Sequence, residues 1–238
     1  MTEHRWSLVG SWCLAGAVAL LVVAASPAAA QQTSFPDYAE TEYEQSVITI
    51  PLKLEGRTEP VEILKLDAFM RLEREVPRLN GLGYRQFEFT IAQWELYGYS
   101  TFLEGWVTFT LSNTIQPKSL GVSLQKETDY PAMIVYSAIY DAYLDGKRII
   151  ADQPGVAFAK DVYEVPPRNI TVAFEKPFNT TASALGLPGD RCAYYGLPPG
   201  CTIFWDDGTC EDMESITREV FEAGIARGQA IRAGTATP

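Results

Sequence analysis

Between Tyr84 and Gln125, apolar side chains fall on every second position in three successive runs: Phe87, Phe89 and Ile91; Val107, Phe109 and Leu111; Leu120, Val122 and Leu124. A two-residue period is that of a strand with one face on a core. A turn region from Gly98 to Gly105 and the Gln116-Pro117-Lys118 break separate the runs. The segment therefore reads as three antiparallel strands of a meander, with Phe87, Phe89, Ile91, Val107, Phe109, Leu111, Val122 and Leu124 in the core. The phase breaks once, at Ala92-Gln93, before Trp94-Glu95-Leu96.

The same period recurs on both sides. Ile48, Ile50, Leu52 and Leu54 alternate with Thr49, Pro51 and Lys53. Pro51 has no N–H to give to a ladder, which places this strand at a sheet edge or turns its proline side to solvent. Val61 to Val76 fits two templates. Leu64, Leu66, Met70 and Leu72 follow a strand period, while Leu66, Phe69, Met70, Glu73 and Val76 trace a helical face. A strand is favoured because its neighbours are strands. Pro131 to Tyr140 is a near-continuous apolar run, as in a strand covered on both faces. Asp145-Gly146 reads as a tight turn feeding Lys147 to Ala151. Two more runs follow, Val156, Phe158 and Val162, then Ile170, Val172 and Phe174, closed by Pro166-Pro167 and Pro177. With no amphipathic helix between strands, the expected fold is mainly β. It is an antiparallel β-sandwich over residues 46–181, its jelly-roll or Ig-like strand order left open, with a C-terminal amphipathic helix.

The two ends differ from this middle. His4 and Arg5, an apolar stretch from Leu14 to Ala25 and the small residues Ala28-Ala29-Ala30 have the layout of a cleaved secretory signal over residues 1–30. Its apolar stretch is shorter than the roughly 20 residues a bilayer span needs. A secreted or periplasmic product beginning at Gln31 is the expectation, with no membrane attachment after cleavage. Residues 31–45 carry no apolar period and read as a flexible N-terminal arm. Residues 182–238 form a cysteine-containing loop region and a helix within the same domain. The helix is expected from about Glu211 to about Arg227, on Met213, Ile216, Val220, Phe221 and Ile225, with Gly224 and Gly228 weakening it.

Composition excludes whole classes of chemistry. The one histidine of the chain, His4, lies in the signal segment. Histidine triads, histidine general bases and histidine-ligated zinc are thereby removed from the exported product. The net charge is −11, and because Glu3 and Arg5 leave together it stays −11 after cleavage. An acidic surface without a basic cluster disfavours nucleic acid and anionic membranes as partners.

What remains is cysteine, carboxylate and aromatic chemistry. Cys192, Cys201 and Cys210 are evenly spaced by nine residues. One disulfide is expected, Cys192 with Cys201 preferred across the Gly196-Leu-Pro-Pro-Gly200 turn and Cys210 the alternative partner. Asp206, Asp207, Glu211 and Asp212, with Asp190, form an oxygen-rich patch that would suit calcium, although the same acids serve a solvated turn and a helix N-terminus. Glu88, Glu95 and Glu104 lie near Phe87, Trp94 and Trp106 and are the candidates for a carboxylate-dependent glycoside hydrolase of jelly-roll type. Glu88 alternates with Phe87 and Phe89, as a solvent-facing residue does. Tyr97, Tyr99, Tyr194 and Tyr195 would suit a platform for sugar or protein. The residues thus point to an exported, non-catalytic binding or scaffolding module for a protein or carbohydrate partner, without cofactor, with the glycoside hydrolase as the alternative.

Overall fold

Strand β1 (Glu40–Leu54) sends every even-numbered side chain from Glu42 to Leu54 to one buried face. The computed structural model describes residues 33–168, 173–174, 178–187, 189–206 and 208–235, all within one unit, Gln31–Pro238. Residues 1–32, Ile170, Val172, Pro177 and Asp207 lie outside the described residues. After β1 come β2 (Glu62–Arg74), β3 (Arg78–Leu79), β4 (Arg85–Ser100), β5 (Gly105–Leu111), β6 (Ser119–Ser123), β7 (Ala132–Leu144) and β8 (Lys147–Val162). The remainder is β9 (Ala173–Phe174), β10 (Phe178–Thr181), α1 (Ala182–Leu185), α2 (Gly189–Tyr194), β11 (Thr202–Trp205), β12 (Thr209–Ser215) and α3 (Arg218–Arg232).

Among the described residues these strands form one antiparallel sheet of twelve, in the order β10-β11-β1-β2-β4-β5-β7-β8-β9, with β12 beside β1 and β6 between β4 and β7. The expected mainly-β architecture with a C-terminal helix is what the chain adopts, its two layers being halves of one curled sheet. β11 and β5 are four strands apart in that order, which in a flat sheet means about 19 Å at 4.8 Å per strand. Yet the rings of Trp205 on β11 and Phe109 on β5 are 6.2 Å apart. The sheet therefore wraps around a single interior, where Leu52, Leu64, Leu66, Phe87, Phe89, Val107, Phe109, Ile134 and Ile203 are packed.

Several local expectations hold. Glu62–Arg74 is a strand, paired along its length with β1. The phase break in β4 is a bulge: Arg71 pairs with Gln93 and Leu72 with Ile91, leaving Ala92 as the extra residue. Trp94 and Leu96 thereby regain the interior. Asp145 and Gly146, both at positive φ, form the two-residue turn between Leu144 and Lys147.

Other expectations are corrected. Residues 40–45 are not an arm but the first half of β1. Before them, buried Phe35 packs edge-on against Phe87 and Tyr130, at 5.0 and 5.2 Å. β1 is not an edge strand either. Pro51 stands where its neighbour changes from β12, ending at Thr49↔Thr209, to β11, starting at Leu52↔Trp205. No ladder donor is needed there, and the Pro51 carbonyl accepts from the Asp206 N–H at 2.9 Å. In β6 the expected faces are exchanged. Ser119, Gly121 and Ser123 point inward, Leu120 and Val122 are half-buried and Leu124 is exposed. Gly121 pairs with Phe87, and a Cβ on it would lie 2.2 Å from that ring, so bulk on β4 demands small residues on β6. Leu111 is half-buried.

The helix is also displaced. Thr209–Ser215 is strand β12, and α3 begins after Thr217, whose hydroxyl accepts from the Val220 N–H. Met213 faces the sheet interior as part of β12, and Val220 is exposed. α3 lies on the outer face, packing Phe221, Ile225 and Ile231 against Phe69 and Tyr97. Gly224 and Gly228 are the contact itself. A Cβ at Gly224 would sit 2.4 Å from the Phe69 ring, and one at Gly228 would sit 2.3 Å from Glu95 Cγ.

This sets two effects in opposition at Gly224. Alanine there would gain about 1 kcal/mol of helix propensity but would overpack the interface, at about 1–3 kcal/mol. Gly224→Ala is expected to lower stability, measured by urea unfolding; a stabilised variant would show that α3 does not rest on Phe69.

Candidate functional site

The inward face of β1 changes character along its length. Leu54, Leu52, Ile50 and Ile48 give way to Ser46, Glu44 and Glu42, all buried. The pleat that buries the first four takes the last three inside as well. Glu42 is neutralised by Arg74 of β2, itself 3% exposed, whose Nε donates to Glu42 Oε1 at 2.7 Å. Arg74 also donates to the Tyr38 carbonyl at 2.8 Å, tying down the segment before β1.

Glu44 has no such counter-charge. It is 1% exposed, and neither carboxylate oxygen has a hydrogen-bond partner among the described residues. Burial, helped by the like charge of Glu42, pushes its pKa up to about 8. In the register Glu44 stands opposite Met70, and Met70 opposite Trp94, so the three form a row across β1, β2 and β4. From β7 comes Tyr136, whose hydroxyl is likewise buried without a partner. Burial holds that phenol well above its usual range, with Glu44 adding to the effect. The buried indole N–H of Trp94 also lacks an acceptor among the described residues. Cys210 lies beside Ser46, its thiol pushed up to about 11 by burial.

Ser46, Trp94, Tyr136 and Cys210, with Ile48, Met70, Ile91, Ala138, Tyr140, Gly155, Ala157 and Met213, line a cavity of about 60 Å³; Glu44, the next inward residue of β1 beyond Ser46, is not part of that lining. One water needs about 10–15 Å³ on this measure, so the space is several waters large. β12 and β8 are six strands apart in the sheet, yet both contribute to its wall. The curling of the sheet is what creates the cavity. Trp94, Tyr140 and Gly155 are half-buried and mark the side nearest solvent.

The residues singled out from sequence do not converge here. Glu88 is on the outer face, paired with Arg78. Glu95 is also on the outer face, 2% exposed under α3 and paired with Arg232. Burial raises its pKa and Arg232 opposes that. Glu104 is an exposed turn residue at positive φ, paired with Arg191. The structure thus separates all three carboxylates into distinct ion pairs. Of the calcium candidates, Asp206 pairs with Lys53, Glu211 and Asp212 are exposed on β12, and Asp190 is exposed on α2. Among the described residues, no group of three or more His, Cys, Asp or Glu side chains is placed to hold a metal. Cys192 and Cys201 are bridged, with Cα atoms 6.1 Å apart, and Cys210 is a buried free thiol. Tyr97 is buried under α3, whereas Tyr99 and Tyr194 are exposed. Tyr194 and Tyr195 border a surface depression with Asp190, Arg191 and Thr101.

Glu44, Ser46, Tyr136 and Trp94 were not candidates from sequence. The available signal was the even-numbered period of β1, which continues backward from Ile48 through Ser46 and Glu44.

No protein-family model matches the chain, and no curated protein matches it. Among solved structures, DynF from the dynemicin biosynthesis pathway of Micromonospora chersina is similar in fold, with a TM-score of 0.52 and 10% identity over 82% of this chain and 89% of that one.

The pKa of Glu44 makes a statement about stability. Its folded value, about 8, lies above the ordinary value of 4.5. Between the two, the folded protein holds a proton that the unfolded chain releases, so stability falls as pH rises through this window and levels off above it. The loss is of the order of a few kcal/mol. Denaturant unfolding at pH 5 and pH 8 should show it, and Glu44→Gln, which cannot ionise, should flatten the slope. An unchanged slope in that variant would mean that Glu44 is not the responsible group.

Proposed function

We propose that the protein is an exported, non-catalytic binding module whose ligand is a small, largely apolar molecule held inside the curled sheet. The observation that carries this reading is the cavity: apolar walls from six strands, with partnerless polar groups at its edge, the composition of a small-molecule site. Met70 and Met213, both in its wall, have flexible side chains that can re-pack around an occupant. Export is supported by the signal-like segment and by the Cys192–Cys201 bridge, which persists in an oxidising compartment. No described helix is long and apolar enough to cross a membrane.

Two measurements test the reading. Equilibrating the purified protein with xenon, an apolar probe small enough for about 60 Å³, and following methyl NMR shifts should give saturable binding. Ala138→Leu, which places a larger side chain in the wall, should weaken it about tenfold or more. Absence of saturable binding by the parent protein would refute the cavity as a ligand site. For export, intact-mass analysis of material from the medium or periplasm should find a chain starting at Gln31, and retention of residues 1–30 would refute cleavage.

A further inference from the structure

We propose that the surface depression beside α2 is a second binding site, independent of the interior cavity, and that its ligand is a neutral sugar ring stacked on Tyr194. Thr101, Phe102, Asp190, Arg191, Tyr194 and Tyr195 border a space of about 400 Å³, within the roughly 300–1,000 Å³ of small-molecule sites. Tyr194 is 84% exposed, more than any other aromatic side chain among the described residues. Its surroundings are nevertheless fixed. The Cys192–Cys201 bridge closes the segment, and the Tyr195 and Gly196 N–H groups donate to the Cys192 and Ala193 carbonyls at 3.0 and 2.9 Å. Arg191 joins α2 to the opposite wall, donating to the Phe102 carbonyl and pairing with Glu104. That wall is pinned in turn by Glu62, which accepts from the Thr101 N–H at 2.7 Å and from its hydroxyl at 2.8 Å. Tyr195 packs against Phe102 at 6.1 Å beneath the Arg57 guanidinium, 4.9 Å from its ring, and Tyr194 stands perpendicular to it at 5.1 Å. An aromatic surface held in this way loses little freedom when a ligand stacks on it.

The chemistry of the rim selects the ligand. A pyranose carries C–H groups on its faces and hydroxyls around its edge, so it needs an apolar plane bordered by acceptors and donors. Tyr194 offers the plane. Asp190, exposed on α2 and without an ion pair among the described residues, has two carboxylate oxygens that can accept from neighbouring hydroxyls. The Thr101 hydroxyl, already donating to Glu62, keeps its lone pairs as acceptors, and the two phenols can both give and accept. A purely apolar ligand would gain little in so open and polar a place. Charge narrows the choice further. The cations beside the depression are engaged, Arg191 with Glu104 and Arg57 over Tyr195, whereas Asp190 is not, and the chain carries a net charge of −11. A sugar acid or a phosphate ester would therefore be repelled where a neutral sugar is accepted.

The probes are the methyl glycosides of glucose, galactose and mannose, with glucuronate as the charged counterpart of the first. Each is titrated into the purified protein at neutral pH, and the ring resonances of Tyr194 and Tyr195 are followed by NMR. At least one neutral glycoside should give saturable shifts at these rings, and glucuronate should bind more weakly than the glucoside. Tyr194→Ala should weaken the binding by about tenfold, and Asp190→Asn should weaken it less. Both side chains are exposed, so neither variant should move the urea unfolding midpoint, which separates a lost contact from a damaged fold. Three neutral glycosides without a saturable shift would overturn the proposal. So would shifts confined to residues away from the depression, or binding that survives Tyr194→Ala. Tighter binding of glucuronate would overturn the selection for a neutral ligand. Xenon reports on the interior cavity alone, so the two sites stand or fall separately.

Discussion

A strand's pleat admits no exceptions within a continuous ladder, and β1 is paired to β2 without a break from Glu40↔Arg74 to Leu52↔Glu62. Whatever stands on an even position of β1 must enter the interior, because slipping by one residue would expose Ile48, Ile50, Leu52 and Leu54 together. Each of those large side chains gains about 1.5–3 kcal/mol on burial. Their sum exceeds what it costs to carry two carboxyls and a serine hydroxyl inside with them. The apolar half of the strand thus holds the polar half in place. The two carboxyls are then handled differently: Glu42 receives a buried arginine, and Glu44 receives none.

The outer face follows a different logic. There the sheet is covered locally by one helix, and close approach rather than bulk decides the contact. Gly224 and Gly228 bring the α3 backbone down onto Phe69, Tyr97 and Glu95. Glu95 is buried as a result, and Arg232, in the last turn of the same helix, supplies the counter-charge. The helix both desolvates the carboxylate and neutralises it, which accounts for a charged residue in the middle of β4 without assigning it any chemistry. Glu44 on the inner face has no such counter-charge among the described residues, and burial holds it protonated instead.

Much of the fold was legible because strand period is a local signal. The runs in β4 and β5, the extra residue at Ala92, the turn at Asp145-Gly146 and the Cys192–Cys201 closure all depend on residues close in sequence. What was misread depended on partners distant in sequence. Leu120, Val122 and Leu124 alternate as a core face should, but the Phe87 ring leaves room only for Gly121, so the smaller residues turn inward. Thr209–Ser215 has acids and a methionine compatible with a helix start, and pairing with β1 makes it a strand instead. Glu40–Gln45 has no apolar period of its own and takes its conformation from the β2 residues alongside it, Phe69 to Arg74. The candidate site was hidden for the same reason. It is assembled from β1, β2, β4, β7, β8 and β12, and its defining property, the hydroxyls of Ser46 and Tyr136 and the Trp94 N–H left without partners among the described residues, exists only once the sheet has curled.

Glu42 and Glu44 nevertheless invite comparison with a hydrolytic dyad. Successive inward residues of a strand are about 7 Å apart, within the range over which glycosidase carboxyls flank a sugar. The resemblance fails on access and on commitment. A glycosidic bond must lie between the two carboxyls with a ring on either side of it, whereas here both are less than a tenth exposed and the adjoining cavity is about 60 Å³, room for a few waters. Glu42, the group that would have to attack or activate water, is held against Arg74 at 2.7 Å. Glu44 then has no second carboxyl free to work with. It retains what a single buried acid retains, the capacity to give and accept a strong hydrogen bond in a dry place.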